Sequence, residues 1–321
     1  MKEPPVLHRR SLRHNPGRAR KAGTVRVIGH RYQRTLAAPA EVRGVGFITA
    51  ARVRVRLLPA PVDSGIVFRR TDLPGSPAVP ARVPNVTGTQ RRTTLGSPPT
   101  GITLVEHLLA ALAGLRIDNC TVELDGPEPP GLDGSAAGFV AALLPAGAAL
   151  QPARRPVWSV EAPAVVTGGG ATLALHPADG PGLRASYTLD YGLAAPIPRQ
   201  AFTFDVRPEN FVREVASCRT FLTEPEARTL KAQGVGTHLT PAEVLVFGPR
   251  GPVANKLRFA DEPARHKVLD LIGDLSLCGF DLAGHLVAYR SGHALNAELG
   301  RRLVELAGAE YAPTAELSHA A

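Results

Sequence analysis

The stretch Arg265–Gly279, RHKVLDLIGDLSLCG, limits the fold more than any other part of the chain. Read as a helix, it has two unlike faces. Val268, Leu269, Leu271, Ile272 and Leu275 form an apolar side that needs a packing partner. His266, Asp270 and Asp274 fall four residues apart, so they stack along the other side, drifting by about 40° per step. A His and an Asp one turn apart can grip one metal ion from a single rigid helix. The plainer alternative is a solvated polar face with a chance histidine, and this helix alone does not decide between the two.

The rest of the chain supplies partners in a regular order. From Tyr32 the pattern is strand-like: in ARVRVRLLPA, Val53, Val55 and Leu57 alternate with Arg52, Arg54 and Arg56. Residues 103–114, TLVEHLLAALAG, read as a helix with a stripe of Leu104, Val105, Leu108, Leu109 and Leu112, stopped by Gly114. A strand over Asn119–Leu124 and a helix over Ser135–Leu144 follow. The segment 146–158 is rich in Ala, Pro and Gln and shows no period, which marks it as a domain boundary. The second half repeats the theme. Strands come first, then NFVREVASCRTF as a helix running into a turn, a short helix and Gly-rich loop over 224–238, and the strand EVLVFGP. After the Arg265–Gly279 helix come a strand in HLVAYRSGHA and a last helix, Ala294–Ala307. The expected fold class is α+β, the order of elements hinting at one unit laid down twice, over 23–150 and 151–308.

Charge sits mostly at one end. Residues 1–35 hold ten Lys or Arg against the single acid Glu3, so this segment accounts for the whole net charge of +9; the remainder holds 27 basic and 27 acidic residues. The body therefore lacks the basic excess of a nucleic-acid binder, and no nucleic-acid partner is expected for it. The tail 1–22 is poor in apolar residues and is expected to be disordered, able at most to touch anionic lipid or nucleic acid. Residues 309–321 read as a frayed C-terminal tail. No run reaches the roughly 18 to 20 apolar residues of a membrane span. Cys120, Cys218 and Cys278 fit no disulfide or metal spacing, so a reduced, cytoplasmic setting is expected.

Three further groups carry chemistry. Glu106 and His107 are neighbours on the first-half helix, and Thr103 with Glu106 makes a T-x-x-E capping-box pattern, which gives Glu106 a structural alternative. If His107 meets His266 and Asp270, two imidazoles and a carboxylate form a hydrolytic zinc set. Glu106 then points about 100° away around the helix, beside the ion, where a general base for the attacking water belongs. Ser291-Gly292-His293 follows a strand, and Asp274 could hold a protonated His293 to stabilise an oxyanion or protonate a leaving amine. Thr220 could donate to an oxyanion, and Lys267 and Arg290 could meet a diphosphate. Taken singly, each of these residues is equally at home on a surface.

Taken together, TLVEHLLAALAGLRIDN at 103–119, LDGSA at 132–136, SCRTF at 217–221, RHKVLDLIGDL at 265–275 and SGHALN at 291–296 resemble the UDP-3-O-acyl-N-acetylglucosamine deacetylases, zinc enzymes of lipid A synthesis. The resemblance runs from about Gln33 to about Leu306. It implies two similar domains, each a sheet packed with two helices, with the active site at their interface, and zinc on His107, His266 and Asp270, with iron as an alternative ion. Glu106 would be the base, His293 the charged helper oriented by Asp274, and Thr220 would face the tetrahedral intermediate. Phe221, Lys267 and Arg290 would contact the nucleotide sugar. The implied partner is a UDP-linked acylated glucosamine. A monomer with transient contact at the inner-membrane surface is expected, with an acyl passage formed by an insert within Leu222–Phe247.

Three departures all lie away from the metal set. Gly46-Phe47-Ile48-Thr49-Ala50 stands where the family often has G-L-H-x-G. TQRRTTLG lacks a Cys that some members carry, and the insert GVGTHLTPAE lacks a G-G-S run. A metal amidohydrolase of a different acylated sugar, and a non-catalytic binding paralogue working through the basic tail, are the competing readings.

Overall fold

The computed structural model describes residues 24 to 308. The tails expected at 1–22 and 309–321 lie outside the described residues. Two five-stranded sheets carry the fold. The first runs Ala40–Val45, Arg52–Pro59, Cys120–Leu124, Ile66–Arg70, Ala78–Pro80. The second runs Ala164–Gly168, Ala171–His176, Gly284–Tyr289, Leu183–Leu189, Gln200–Asp205. The order is the same in both. Two hairpins are laid down first, and the last strand then enters between them, antiparallel to one neighbour and parallel to the other.

Six helices complete the described residues: α1 (Glu106–Gly114), α2 (Ala137–Ala146), α3 (Pro208–Glu214), α4 (Glu224–Ala232), α5 (Glu262–Ser276) and α6 (His293–Ala307). In the first half α1 precedes the inserted strand and α2 follows it; in the second half α5 and α6 do the same. One α+β unit thus occurs twice. The second copy also contains α3, α4 and a small sheet of Phe221–Thr223, Leu245–Gly248 and Gly251–Pro252. In Arg52–Pro59 the valines and Leu57 are buried and the arginines exposed, as the alternation requires.

The two copies meet along α1 and α5. Gly273 makes that meeting close: a Cβ placed there would lie 2.2 Å from the Glu106 carbonyl oxygen. The helix backbones therefore touch without a side chain between them, and α1 is buried along nearly its whole length.

Several local expectations are corrected. The first helix begins at Glu106 rather than at 103, because Thr103 pairs with Thr94 in a short strand and Leu104 turns the chain at φ 57°. No Thr103–Glu106 capping box forms. Gly114 is the last helical residue and not the stop; the left-handed position is Arg116, at φ 56°. Gly114 instead admits the Phe211 ring, which a Cβ would meet at 2.4 Å. The segment 146–158 is not an aperiodic linker. It belongs to the strand Ala148–Val160, which pairs with Val25–Leu36 and, at its far end, with Asp281–Leu282. A long partner supplies the hydrogen bonds that its Ala- and Pro-rich sequence does not advertise. The long helix starts three residues before Arg265 and ends at Ser276. α3 ends at Glu214, leaving Ser217–Phe221 as turn and strand.

Candidate active site

His266 and Asp270 stand one turn apart on α5, and α1 brings His107 against them. His266 Nε2 lies 3.3 Å and His107 Nε2 3.7 Å from Asp270 Oδ1. The two imidazoles meet edge to face with centroids 5.0 Å apart, and one ligand atom from each of the three residues falls within 4.8 Å of the others. All three residues are buried. His266 Nδ1 donates to the Cys218 carbonyl at 3.0 Å, which leaves Nε2 as a lone pair facing Asp270. Burial, only partly opposed by Asp270, pushes the His266 pKa down to about 3, so the ring is neutral, the form that ligates.

Asp270 divides its carboxylate. Oδ2 accepts from Lys267 Nζ at 2.9 Å, while the fully buried Oδ1 has no hydrogen-bond partner among the described residues. Burial disfavours its charge, but His266 and Lys267 outweigh burial and hold the carboxyl well below its usual range. Lone pairs converging on one buried point with no donor between them need a cation, and two imidazoles with one carboxylate suit a divalent ion. The donor set therefore fits a metal.

Beside it lies a second, proton-handling group. Glu106 is buried; its Oε2 accepts from the Thr93 N–H at 3.0 Å. Burial raises its pKa against the opposing charges of His293 and His107. His293, the first residue of α6, donates from Nδ1 to Asp274 Oδ2 at 2.8 Å. Burial works against its charge, yet Asp274, with Asp270 and Glu106, lifts its pKa to about 9. Asp274 is held in turn: Asn296 Nδ2 donates to Oδ2 at 2.8 Å and Thr93 Oγ1 to Oδ1 at 2.6 Å. The site thus pairs a carboxylate inclined to take a proton with an imidazolium able to give one.

A cavity of about 840 Å³ opens onto these groups. Glu106, His107, Thr220, Phe221, His266, Lys267, Asp270, Arg290 and His293 all line it, and Asp274 sits behind His293. The structure therefore brings together every residue singled out from the sequence. Phe221 lies edge-on to the His266 ring at 6.1 Å, and the Lys267 ammonium stands 5.6 Å from the Phe221 centroid. One arm of the cavity is apolar, walled by Phe47, Ile48, Leu230, Val235, Leu239 and Val244. Hydrogen bonds behind this lining hold the Gly46–Thr49 segment, one of them from the second half of the chain. His238 Nε2 lies 3.0 Å from the Gly46 carbonyl, and buried Glu128 accepts from the N–H groups of Ile48 and Thr49.

Sequence reasoning missed Thr93, which touches both Glu106 and Asp274, as well as Asn296 and Tyr187. The Tyr187 hydroxyl donates to the Ser291 carbonyl, fixing the turn before His293. Asn296 was within reach, since it lies three residues after His293 on one helix face. Thr93 carried no signal, because it lies in a loop and meets Asp274 across 181 positions.

The family model described as UDP-3-O-acyl N-acetylglycosamine deacetylase (LpxC) matches residues 33–305. Three curated relatives share the name UDP-3-O-acyl-N-acetylglucosamine deacetylase. The protein of Myxococcus xanthus (strain DK1622) is 42% identical over 278 residues, covering 85% of this chain and 86% of the relative. That of Nostoc sp. (strain PCC 7120) is 40% identical over 279 residues, covering 85% and 99%. That of Thermosynechococcus vestitus is 41% identical over 273 residues, covering 85% and 94%.

Proposed function

Because the chain belongs to the UDP-3-O-acyl N-acetylglycosamine deacetylase family, we propose that it hydrolyses the N-acetyl group of a UDP-linked, 3-O-acylated N-acetylglucosamine. The reaction releases acetate and leaves a free amine. It is a hydrolase acting on a carbon–nitrogen bond other than a peptide bond, and lipid A biosynthesis is the setting this reading implies. The observation that carries it is the convergence of His107, His266 and Asp270 in a buried cluster at the floor of the cavity.

In this reading those three residues hold one divalent ion, zinc first and iron as the alternative. Such an ion supplies polarisation of the amide carbonyl and acidification of water. Glu106 takes the proton of the attacking water, and its raised pKa suits it to pass that proton on. His293, kept charged by Asp274, faces the developing oxyanion and the leaving nitrogen, with the Thr220 hydroxyl as a further donor. Lys267 neutralises the second oxygen of Asp270 and, with Phe221 and Arg290, borders the space for the nucleotide sugar. The apolar arm beside α4 suits the acyl chain.

We keep two domains, 23–150 and 151–308, with the division falling inside the strand Ala148–Val160; the matching strand orders support two units. No helix among the described residues is long and apolar enough to cross a membrane. Three buried, unpaired cysteines favour the cytoplasm. We propose a monomer that meets the inner-membrane surface transiently through its lipid substrate.

Glu106→Gln tests the reading. The variant should fold and retain metal while kcat for deacetylation of the UDP-linked substrate falls by roughly 10² to 10⁴. Full activity in the variant would refute the role of Glu106, and an inactive wild type loaded with stoichiometric zinc would refute the function.

A further inference from the structure

One short turn of the first half grips a segment of the second. The turn, Gly131–Ser135, is stiffened by its own hydrogen bonds. The Gly134 N–H donates to the Gly131 carbonyl at 2.9 Å, and Asp133 Oδ1 accepts from the N–H and the hydroxyl of Ser135 at 3.1 and 2.7 Å. Ser135 is fully buried, and the chain runs from it into α2.

The segment held is Ser217–Thr220. At one end the Thr220 N–H donates to the Gly134 carbonyl at 2.7 Å. At the other, Arg258 Nη1 bridges Asp133 Oδ2 and the Ser217 carbonyl, at 2.7 Å to each. The Leu245 N–H donates to the Thr220 carbonyl at 3.0 Å, so Thr220 is pinned through both of its peptide groups. Position 134 has room only for glycine. Its φ is +78°, and a Cβ there would lie 2.2 Å from the Glu243 carbonyl oxygen and 3.1 Å from Thr220 Cγ2. The first half thus enters the second as bare backbone, between Thr220 and Glu243.

This contact bears on one atom. Thr220 lines the substrate cavity, and its hydroxyl has no hydrogen-bond partner among the described residues. A threonine is stiff about χ1. With its main chain pinned and its methyl beside Gly134, the direction of the hydroxyl is set. We propose, on the deacetylase reading given above, that Asp133 and Gly134 are positioning residues: from the first half they fix the direction in which Thr220 of the second half donates to the tetrahedral intermediate. A donor of this kind works only if placed in advance, and a misplacement of about 1 Å costs on the order of 10²-fold in rate.

Amide hydrogen exchange and a double-mutant cycle, both on the full-length, metal-loaded protein, test the assignment. Without substrate, the Thr220 amide should be protected in the wild type and exchange at least tenfold faster in Asp133→Ala. Asp133→Ala and Gly134→Ala should each lower kcat by roughly tenfold with KM nearly constant. Thr220→Val should lower kcat by roughly 10²-fold. Adding Asp133→Ala or Gly134→Ala to Thr220→Val should then cost less than about twofold, because the hydroxyl they position is gone. Asp133→Ala leaves the Gly134 backbone free of a clash, so it carries the test if Gly134→Ala does not fold. Equal losses of kcat in the wild-type and Thr220→Val backgrounds would mark the turn as merely structural and overturn the proposal, as would a Thr220 amide that exchanges alike in wild type and Asp133→Ala. An inactive wild type would overturn the deacetylase reading and this role together, whereas an active wild type with equal losses in both backgrounds overturns this role alone.

Discussion

Gly273→Ala perturbs the contact on which the candidate metal cluster depends. By helix propensity alone the change should stabilise α5 by about 1 kcal/mol. The structure reverses that sign. The new methyl would lie 2.2 Å from the Glu106 carbonyl oxygen, 3.0 Å from its carbon and 3.2 Å from the Ala110 nitrogen. All three are backbone atoms of α1, so no rotamer change relieves them. Ordinary contact requires the helices to part by about 1 Å. Overpacking of that kind costs about 1–3 kcal/mol, leaving a net loss of up to about 2 kcal/mol. The larger effect falls on function, because His107 rides on α1 and its two proposed co-ligands on α5. Metal sites tolerate about 0.2 Å in ligand distance, so a 1 Å separation should weaken metal binding by roughly 10- to 100-fold. Chelator competition measures that affinity, and urea unfolding of the metal-free protein measures the stability. Gly114→Ala is the control. It clashes with the Phe211 side chain at 2.4 Å and should cost stability while sparing metal affinity. A Gly273→Ala protein with unchanged metal affinity and unchanged kcat/KM would show that close approach of α1 and α5 does not set the site.

Further expectations concern the supporting groups. Thr93→Val removes the hydroxyl that donates to Asp274 but keeps the N–H that reaches Glu106. It should lower kcat by roughly tenfold with KM nearly constant, whereas a proportional rise in KM would make Thr93 a substrate contact. Glu128→Ala should free the Phe47–Ile48 loop, raising KM for a long-chain substrate more than for a short-chain one; equal effects on both would detach this loop from acyl binding. Acid stability should depend on Asp281. Burial raises its pKa, but Arg155 and Arg31 prevail and hold it below its usual 3.8. Its contribution is therefore present above pH 3.8 and lost as pH falls through the depressed value. The melting-temperature gap between wild type and Asp281→Asn should be full near neutrality and close as pH falls through that depressed value. A gap independent of pH would refute the ion-pair assignment.

The clustering of His107, His266 and Asp270 was legible because its geometry is largely local. His266 and Asp270 are fixed by one helix, and Glu106-His107 needed only a second helix to pack on the first. The duplicated unit was legible in the order of its elements, and in alternations such as Arg52–Pro59. What stayed hidden depends on contacts between distant segments. Thr103 and Glu106 have the spacing of a capping box, yet Thr103 joins a strand and Glu106 accepts from Thr93. Ala148–Val160 has weak strand propensity and becomes a strand through its pairing with Val25–Leu36. Gly114 read as a helix stop, and nothing in the sequence singled out Gly273. Their use, admitting Phe211 and the α1 backbone, is visible only once those partners are placed.

Metal content of the purified protein beside its His266→Ala variant bears most directly on the convergence of His107, His266 and Asp270. About one equivalent of divalent ion per chain is expected in the wild type. The variant should fold and carry little, since one of the three ligands is gone. Equal metal in the two proteins would contradict the site.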